Sequence, residues 1–378
     1  MHSTDPNKPA SPRARLLVLE AAGNLWGSER ALADLLGAMD DTQWKVGICC
    51  PPAMPFESLL DESRIQIFPT FVGNLHLKNK LSRIWALIGL IRAIRRFSPH
   101  LIYVNQAGTT KIALAAARPF GLPVVTHTRL KEDVEYVETL LHRDPLKRVI
   151  CISKFIRDAF SDRIDPDRTL TLYDGYRPAC DWHAPQPVPP RSRFVCPSRL
   201  GYTKGQDVLV KAFLQFSKAT AEGHLTLVGG TGPQDDFEVE LQREVAQDEH
   251  RDQIRFLGFV DNIWPILGEA DFLVCPSRYE PLGRVIFEAW DAGLVPLAWK
   301  GSGGPAETIS ASRGGLLYDH QNPECLAETL RFANSMSSEE RAGYVQRGRA
   351  WLISNCKPQI YAQHMSHCFH QAIDGRAA

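Results

Sequence analysis

The residues with the plainest chemistry lie in the second half of the chain. Ser198-Arg-Leu-Gly-Tyr-Thr-Lys-Gly205 sits between a run that reads as a strand and one that reads as a helix. Arg199 offers a planar fork of donors and Lys204 a point charge, and both suit phosphate oxygens; the bland reading is two solvated cations in a loop. Val228-Gly-Gly-Thr-Gly232 is a glycine-rich turn after a strand, where Gly229 and Gly230 would let the backbone approach a ligand, although many such turns merely turn.

The most specific stretch is Tyr279-Glu-Pro-Leu-Gly-Arg-Val-Ile-Phe-Glu-Ala-Trp290. Gly283, near a predicted helix start, exposes amide N–H groups, a natural anion site. Seven residues separate Glu280 from Glu288. Glu288 lies among Val285, Ile286, Phe287 and Trp290, where a carboxylate is costly unless hydrogen-bonded, and sugar hydroxyls are candidate partners. Lys300-Gly-Ser-Gly-Gly-Pro-Ala-Glu307 adds another glycine-rich turn after a strand, with Gly303 and Gly304 placed for close backbone contact with a sugar or phosphate. A glycosidase pair is a poor alternative. Eight helical steps of ~1.5 Å would part the two backbones by about 12 Å, beyond the ~5–9.5 Å of glycosidase carboxylates, and phosphate-type residues have no task in plain hydrolysis.

These loops need a scaffold that presents strand ends. Short apolar runs alternate with segments of helical period throughout. Arg15–Glu20, Lys45–Cys50, Leu101–Asn105, Pro123–His127 and Val149–Ser153 read as strands of a first parallel sheet, with Ser28–Met39 as its first helix. Asp181 to Pro190 holds four prolines in ten residues and reads as an interdomain linker. The alternation then restarts, with strands at Phe194–Pro197, His224–Val228, Ile254–Leu257, Ala270–Cys275 and Val295–Ala298. Helices at Gln206–Ala219, Glu238–Asp248 and Arg284–Ala292 lie between them. The expected fold class is α/β, two tandem Rossmann-like doubly wound domains facing a cleft at their strand C-termini. The expected division is a disordered 1–12, a first domain over 13–183, a linker over 184–192 and a second domain over 193–356. A final helix over 357–378 would pack back on the first domain.

Composition narrows the class. The 378 residues carry 43 basic and 43 acidic side chains, so no global charge points to nucleic acid. Nine cysteines include no C-x-x-C pair and several sit in apolar runs, which suits reduced thiols in a cytoplasmic protein rather than disulfides or zinc. The N-terminus has no apolar signal core, and no uncharged run reaches the ~18 residues of a membrane span. Asp165-Pro-Asp167 has the outline of a metal-binding D-x-D but lies outside the donor region and is expected to be a solvated turn.

Arg199 with Lys204, the E-x7-E of Glu280 and Glu288, and the Gly-Gly-x-x-Glu of Gly303, Gly304 and Glu307 resemble glycosyltransferase family four. The resemblance is densest from 194 to 320. In the first half, Gly27-Ser-Glu-Arg-Ala-Leu looks like the family's glycine-rich first turn, Val124-Val-Thr-His127 like the strand that ends in its active-site histidine, and Asp174-Gly175 like its usual Asn-Gly turn. Tyr361–Met365 looks like its crossing-back helix. The resemblance implies a glycosyltransferase B-type fold and a retaining, metal-independent hexosyltransferase with no cofactor beyond a UDP- or GDP-linked sugar as co-substrate. It implies that Arg199 and Lys204 hold the diphosphate, Glu288 the ribose, Glu280 the donor sugar and the backbone near Leu282 and Gly283 phosphate or sugar. His127 would lie near the sugar; as a bare sequence reading it is equally a satisfied structural histidine. Base recognition falls near Gly258-Phe259-Val260, which carries no readable code. Leu282 replaces a frequent Phe, and Asp174 the common Asn.

For the acceptor, a glycan or glycolipid, one stretch is informative. His76 to His100 holds six Lys or Arg, no acidic residue and the apolar run Ile84–Ile91. Such a helix could lie on an anionic membrane, which would place the protein peripherally on the inner face of the cell membrane, or bury Leu and Ile and leave Arg in solvent. A sugar-nucleotide epimerase and a non-catalytic sugar-nucleotide binder remain as alternative functions.

Overall fold

The computed structural model describes residues 13–22, 25–71, 80–160, 164–179, 192–220, 223–232 and 235–375. The N-terminal stretch 1–12 and most of the Pro-rich segment expected as linker lie outside these. The chain forms two compact units. One comprises Met1–Ile152, Ile156–Gly175 and Pro358–Ala378, the other Ser153–Phe155 and Tyr176–Lys357.

The first unit is built on seven strands: β1 (Ala14–Leu19), β2 (Trp44–Cys50), β3 (Ile65–Pro69), β4 (Leu101–Val104), β5 (Val124–Thr128), β6 (Leu146–Cys151) and β7 (Thr169–Thr171). Their order is β3-β2-β1-β4-β5-β6-β7, and every pair is parallel. Both faces are covered, so the strands read as continuous apolar runs rather than alternating ones; all four residues of β4 are buried. The last helix, Pro358–Asp374, supplies Tyr361, Met365 and Phe369 to this unit's core. It is pinned where Trp44 Nε1 donates to Ser366 Oγ at 2.7 Å.

The second unit repeats the plan with β8 (Arg193–Pro197), β9 (His224–Val228), β10 (Ile254–Phe256), β11 (Phe272–Cys275), β12 (Val295–Trp299) and β13 (Leu316–Tyr318). The order β10-β9-β8-β11-β12-β13 is again all parallel. Strand order reverses between β1 and β4 in one sheet and between β8 and β11 in the other. Doubly wound sheets bind ligands at the carboxyl ends of the strands flanking that reversal. Three strands, β3, β7 and β13, are additions to the set read from sequence.

The helix Lys80–Phe97 has two distinct faces. Ala86, Leu90, Ala93, Ile94 and Phe97 are buried and join the core. Leu81, Ile84 and Trp85 stand 63%, 52% and 66% exposed, and Arg92, Arg95 and Arg96 are exposed as well. The spacing of those six residues places them on one side of the helix, opposite the buried set. Neither sequence alternative for this stretch is complete, since the Leu and Ile residues divide between core and solvent. Residues 76–79 of the basic stretch lie outside the described residues.

The eight cysteines among the described residues are free. Burial pushes the thiols of Cys49, Cys151 and Cys196 up to about 12, which keeps them protonated and inert. Asp165 accepts the Asp167 N–H at 2.9 Å, closing a turn.

Candidate active site

At the reversal of the second sheet, the loop after β8 is fixed by a residue the sequence reading passed over. Gln206 is fully buried at the start of the helix Gln206–Ser217. Its Nε2 donates to Ser198 Oγ at 2.7 Å and to the Arg199 carbonyl at 3.1 Å. The Arg199 side chain is exposed. Lys204 closes a short 3-10 turn, Tyr202–Lys204, and its N–H donates to the Gly201 carbonyl at 2.8 Å. Gly205 follows with φ +73°, and a Cβ there would lie 2.1 Å from the Pro276 carbonyl oxygen. Only glycine lets this loop approach the end of β11 so closely.

The loop after β11 carries Glu280, and Lys204 Nζ meets Glu280 Oε2 at 2.5 Å, with both side chains about a quarter exposed or less. Arg278 staples the two loops together. Its guanidinium donates to both oxygens of Asp207 at 2.7 Å and lies 3.9 Å over the Tyr202 ring, while the Arg278 backbone N–H donates to the Thr203 carbonyl at 2.9 Å. A bidentate arginine of this kind fixes orientation as well as charge.

The glycines of the third loop are needed for packing among loops. Glu280 donates its N–H to Ser302 O at 2.8 Å and accepts from Gly304 N at 2.9 Å. A Cβ on Gly303 (φ +95°) would lie 2.7 Å from Glu280 O, and one on Gly304 2.4 Å from Leu282 Cα. Gly283, in the left-handed region, caps the helix Arg284–Ala292, and Leu282 before it is buried. That helix start directs amide N–H groups and positive dipole toward the Glu280 loop. Glu307 serves its own unit, accepting the N–H groups of Lys154 and Phe155 at 3.0 Å each. Glu288 lies further along the helix, half-buried, and the Tyr176 phenol is raised by burial first and then by the charges of Asp291 and Glu288.

The two glycines after β9 differ in kind. Gly229 has φ +126°, its N–H donates to the Gly258 carbonyl at 2.7 Å, and a Cβ would lie 2.3 Å from Ser198 O. It therefore ties the Gly258–Val260 loop to the Arg199 loop. Gly230 meets nothing within 4 Å at its Cβ position. Val260 is half-buried, while its neighbour Phe259 is 82% exposed. Among the described residues there is no group of three His, Cys, Asp or Glu side chains that could hold a metal ion.

At the reversal of the first sheet lies a second polar cluster that sequence reasoning largely missed. Glu20, after β1, and Asn105, after β4, are fully buried, and Asn105 Nδ2 donates to Glu20 Oε2 at 2.6 Å. Arg129, after β5, donates from Nη1 to both oxygens of Asp174 at 2.9 and 2.8 Å and from Nη2 to Asn105 Oδ1 at 2.9 Å. Burial works against the Arg129 charge, and Asp174 more than restores it, so its affinity for the proton is raised. His127, in β5, is fully buried, and burial followed by the nearby Arg129 charge holds it well below the usual imidazole range. Gly27 begins the helix Gly27–Ala38, whose Glu29 is buried and accepts from Gln106 Nε2 at 2.8 Å. The sequence signal for this cluster was polar residues directly after apolar strands, Glu20 and Asn105 above all. Of the predicted site residues, Gly27 and His127 belong to the first unit and all others to the second.

Two parallel sheets of this order, each with polar loops at its reversal, define two doubly wound Rossmann-like units. Residues 26–179 match the family model described as glycosyltransferase family 4, and residues 183–351 match the one described as glycosyl transferases group 1. The chain belongs to the family-four glycosyltransferases. It is 24% identical over 316 residues to the lipopolysaccharide core biosynthesis glycosyltransferase LpsD of Rhizobium meliloti, covering 82% of this chain and 85% of that protein. A glycogen synthase of Xanthomonas euvesicatoria is 30% identical over 175 residues, 43% of this chain but only 32% of the synthase. Among solved structures, HepE of Anabaena in complex with UDP and glucose superposes with a TM-score of 0.78 at 20% identity, over 95% of this chain and all of that one. A glycosyltransferase of Rickettsia africae gives 0.79 at 18% identity, over 97% and 100%. These likenesses establish the glycosyltransferase B-type fold.

Proposed function

We propose that this glycosyltransferase moves a hexosyl group from a nucleotide-diphosphate sugar to a hydroxyl acceptor with retention at the anomeric carbon. The observation that carries this is the Lys204–Glu280 pair, which places a cation and a carboxylate 2.5 Å apart beside a helix N-terminus at the sheet reversal. A diphosphate needs the first and the helix start, and a sugar hydroxyl needs the second. In the transfer, the bond from C1 to the β-phosphate oxygen breaks and the acceptor oxygen bonds to C1 on the same face. The acceptor proton passes to the departing phosphate oxygen. Arg199 and Lys204 stabilise the charge that grows on the leaving group, so that neither a protein nucleophile nor a metal has a step to perform. Gly229, Gly230 and Val260 would border the nucleotide, and Glu288 would take the ribose hydroxyls. A uridine diphosphate donor is favoured over a guanosine one by the UDP and glucose found with HepE, a protein of the same fold.

The acceptor we propose is a lipid-linked or lipopolysaccharide-type glycan, in keeping with the role named for LpsD. No helix among the described residues is long and apolar enough to cross a membrane. Peripheral attachment through the outward face of Lys80–Phe97 is the form that fits, with Leu81, Ile84 and Trp85 entering the interface and Arg92, Arg95 and Arg96 meeting anionic headgroups. The deciding experiment incubates the protein with UDP- and GDP-sugars and a glycolipid extract, and reads product anomeric configuration by NMR. An α-linked product from an α-linked donor is expected. An inverted product, or a sugar epimerised without acceptor, overturns the reading.

A further inference from the structure

Two ion pairs run in opposite senses between the loops after β8 and β11. Lys204 of the first loop reaches Glu280 of the second at 2.5 Å. Arg278 of the second reaches Asp207, in the first turn of the helix that follows the first loop, at 2.7 Å. The pairs differ in kind. Lys204 presents a single point of charge, which a phosphate oxygen can take over. The Arg278 guanidinium is committed to fixed partners. Its Nη1 donates to the Tyr202 carbonyl at 2.6 Å and to one Asp207 oxygen, its Nη2 donates to the other, and its central carbon lies 3.9 Å from the centre of the Tyr202 ring. These partners sit on or directly after the turn Tyr202–Lys204, the piece of backbone from which Lys204 extends. Other site residues are held elsewhere. The Arg199 carbonyl hangs from Gln206 Nε2 at 3.1 Å, and Glu280 is tied by its backbone to Ser302 O and Gly304 N of the third loop.

We infer that Arg278 and Asp207 are positioning residues for Lys204 alone, a brace that stays closed while the Lys204–Glu280 pair opens to admit a diphosphate. The inference rests on the proposed transferase reading for its ligand, whereas the brace itself does not. A cation stabilises a leaving group best when it is already in place and needs no reorganisation as charge develops. Ordering a loose turn at the moment of binding would subtract from the affinity instead. Asp207 also suits its place, because a carboxylate in the first turn of a helix is favoured by the helix dipole. With both its oxygens engaged by Arg278, it leaves Glu280 as the one carboxylate that pairs with Lys204.

Two measurements on the full-length protein separate the brace from its use. Hydrogen–deuterium exchange in the segment 200–206, followed without ligand, should quicken in Arg278→Gln and remain as in wild type in Glu280→Gln, because only the first removes contacts to the turn. Equal exchange in wild type and Arg278→Gln overturns the inference. Calorimetric titration with UDP reads the consequence. Arg278→Gln should weaken UDP by about tenfold, the scale of one hydrogen bond to a charged group. In a Lys204→Ala background the same substitution should change UDP affinity by less than about twofold, since only coupled sites fail to add. A full tenfold loss repeated in that background would mean that Arg278 acts on the ligand directly or loosens the unit generally, and the assignment to Lys204 would fall. Asp207→Asn, close in shape, should weaken UDP in the same direction, and it carries both measurements if Arg278→Gln does not fold. A wild-type protein that binds neither UDP nor GDP would sink the transferase reading, and the exchange measurement would then decide the brace alone.

Discussion

Lys204 and Glu280 come from loops on neighbouring strands and close on each other at 2.5 Å. The cation proposed for the diphosphate is thus partly neutralised by the carboxylate proposed for the sugar until a ligand separates them. A complete donor can replace both halves of the pair, whereas a bare nucleoside diphosphate satisfies only the lysine.

Substitutions on the two sides should therefore act with opposite sign on nucleotide binding. Glu280→Gln frees Lys204 and is expected to tighten UDP. Solvent-exposed pairs are worth about 0.2–1 kcal/mol, and that range, carried over to this pair with side chains 24% and 20% exposed, converts to roughly a one-and-a-half- to fivefold gain. Transfer by the same variant should fall, because the sugar loses its carboxylate. Lys204→Ala should weaken UDP and lower transfer by about 100-fold, the usual loss when one stabilising group is removed. Calorimetric titration with UDP, beside steady-state transfer rates, checks both signs. Equal weakening of UDP by the two variants would refute the opposition.

Two adjacent glycines give a second contrast. Gly229→Ala forces a Cβ to 2.3 Å from the Ser198 carbonyl at φ +126°, and should cost about 1–3 kcal/mol through backbone strain alone. In a unit of this size that is a fall in Tm of roughly 2–4 °C for each kcal/mol. Gly230→Ala adds a methyl to open space and should leave Tm unchanged within about a degree. If a nucleotide lies against this turn, the second variant should still lose donor affinity. Thermal unfolding with and without UDP-sugar separates the two effects.

These glycines also show how far the residues alone could be read. Sequence spacing located the loops after β8, β9, β11 and β12, because each follows an apolar run and precedes a helical one, and Arg284–Ala292 was legible to the residue. It could not tell a glycine required by neighbouring backbone, such as Gly304, from one left open, such as Gly230. That distinction depends on which loops meet in space. The strands left out, β3, β7 and β13, lie at the ends of their sheets or are three residues long, too short for a periodic signal. Gln206 and Arg278 were passed over for a similar reason, since a polar residue at a helix start or in a loop looks solvated until its partners are known. The Arg129–Asp174 pair joins residues 45 apart in the chain, and nothing local announces it.

Burial of neutral His127 has a consequence for acid stability. Its folded-state affinity for protons is lowered well below the ordinary value of 6.5, so below that pH the unfolded chain binds a proton that the folded chain refuses. Stability should therefore be fully present above about pH 6.5 and fall as pH drops below it. The limiting slope from this one group is about 1.4 kcal/mol per pH unit. His127→Gln removes the term, so the difference in unfolding free energy between wild type and variant should narrow steadily from pH 6.5 to pH 5. A difference that stays constant across that range would mean that His127 titrates normally in the folded protein.

The outward face of Lys80–Phe97 makes the last prediction, and the order of its residues gives it a direction. Leu81, Ile84 and Trp85 occupy the N-terminal turns, while Arg92, Arg95 and Arg96 follow on the same side. An apolar end can enter a headgroup layer only if the cationic end remains at its anionic surface, so both halves should be needed together. Sedimentation with vesicles rich in anionic lipid should recover the wild-type protein at low salt and much less of it at high salt, because exposed charges are screened over about 10 Å at 0.1 M. Trp85→Ala should weaken binding to the same vesicles at every salt concentration, while the Arg92→Glu, Arg95→Glu double variant should abolish the salt dependence along with most of the binding. Neither substitution touches the Lys204–Glu280 loops, so transfer to a water-soluble acceptor should be unchanged in both. Equal recovery of wild type and double variant on anionic vesicles would show that this face does not meet a membrane.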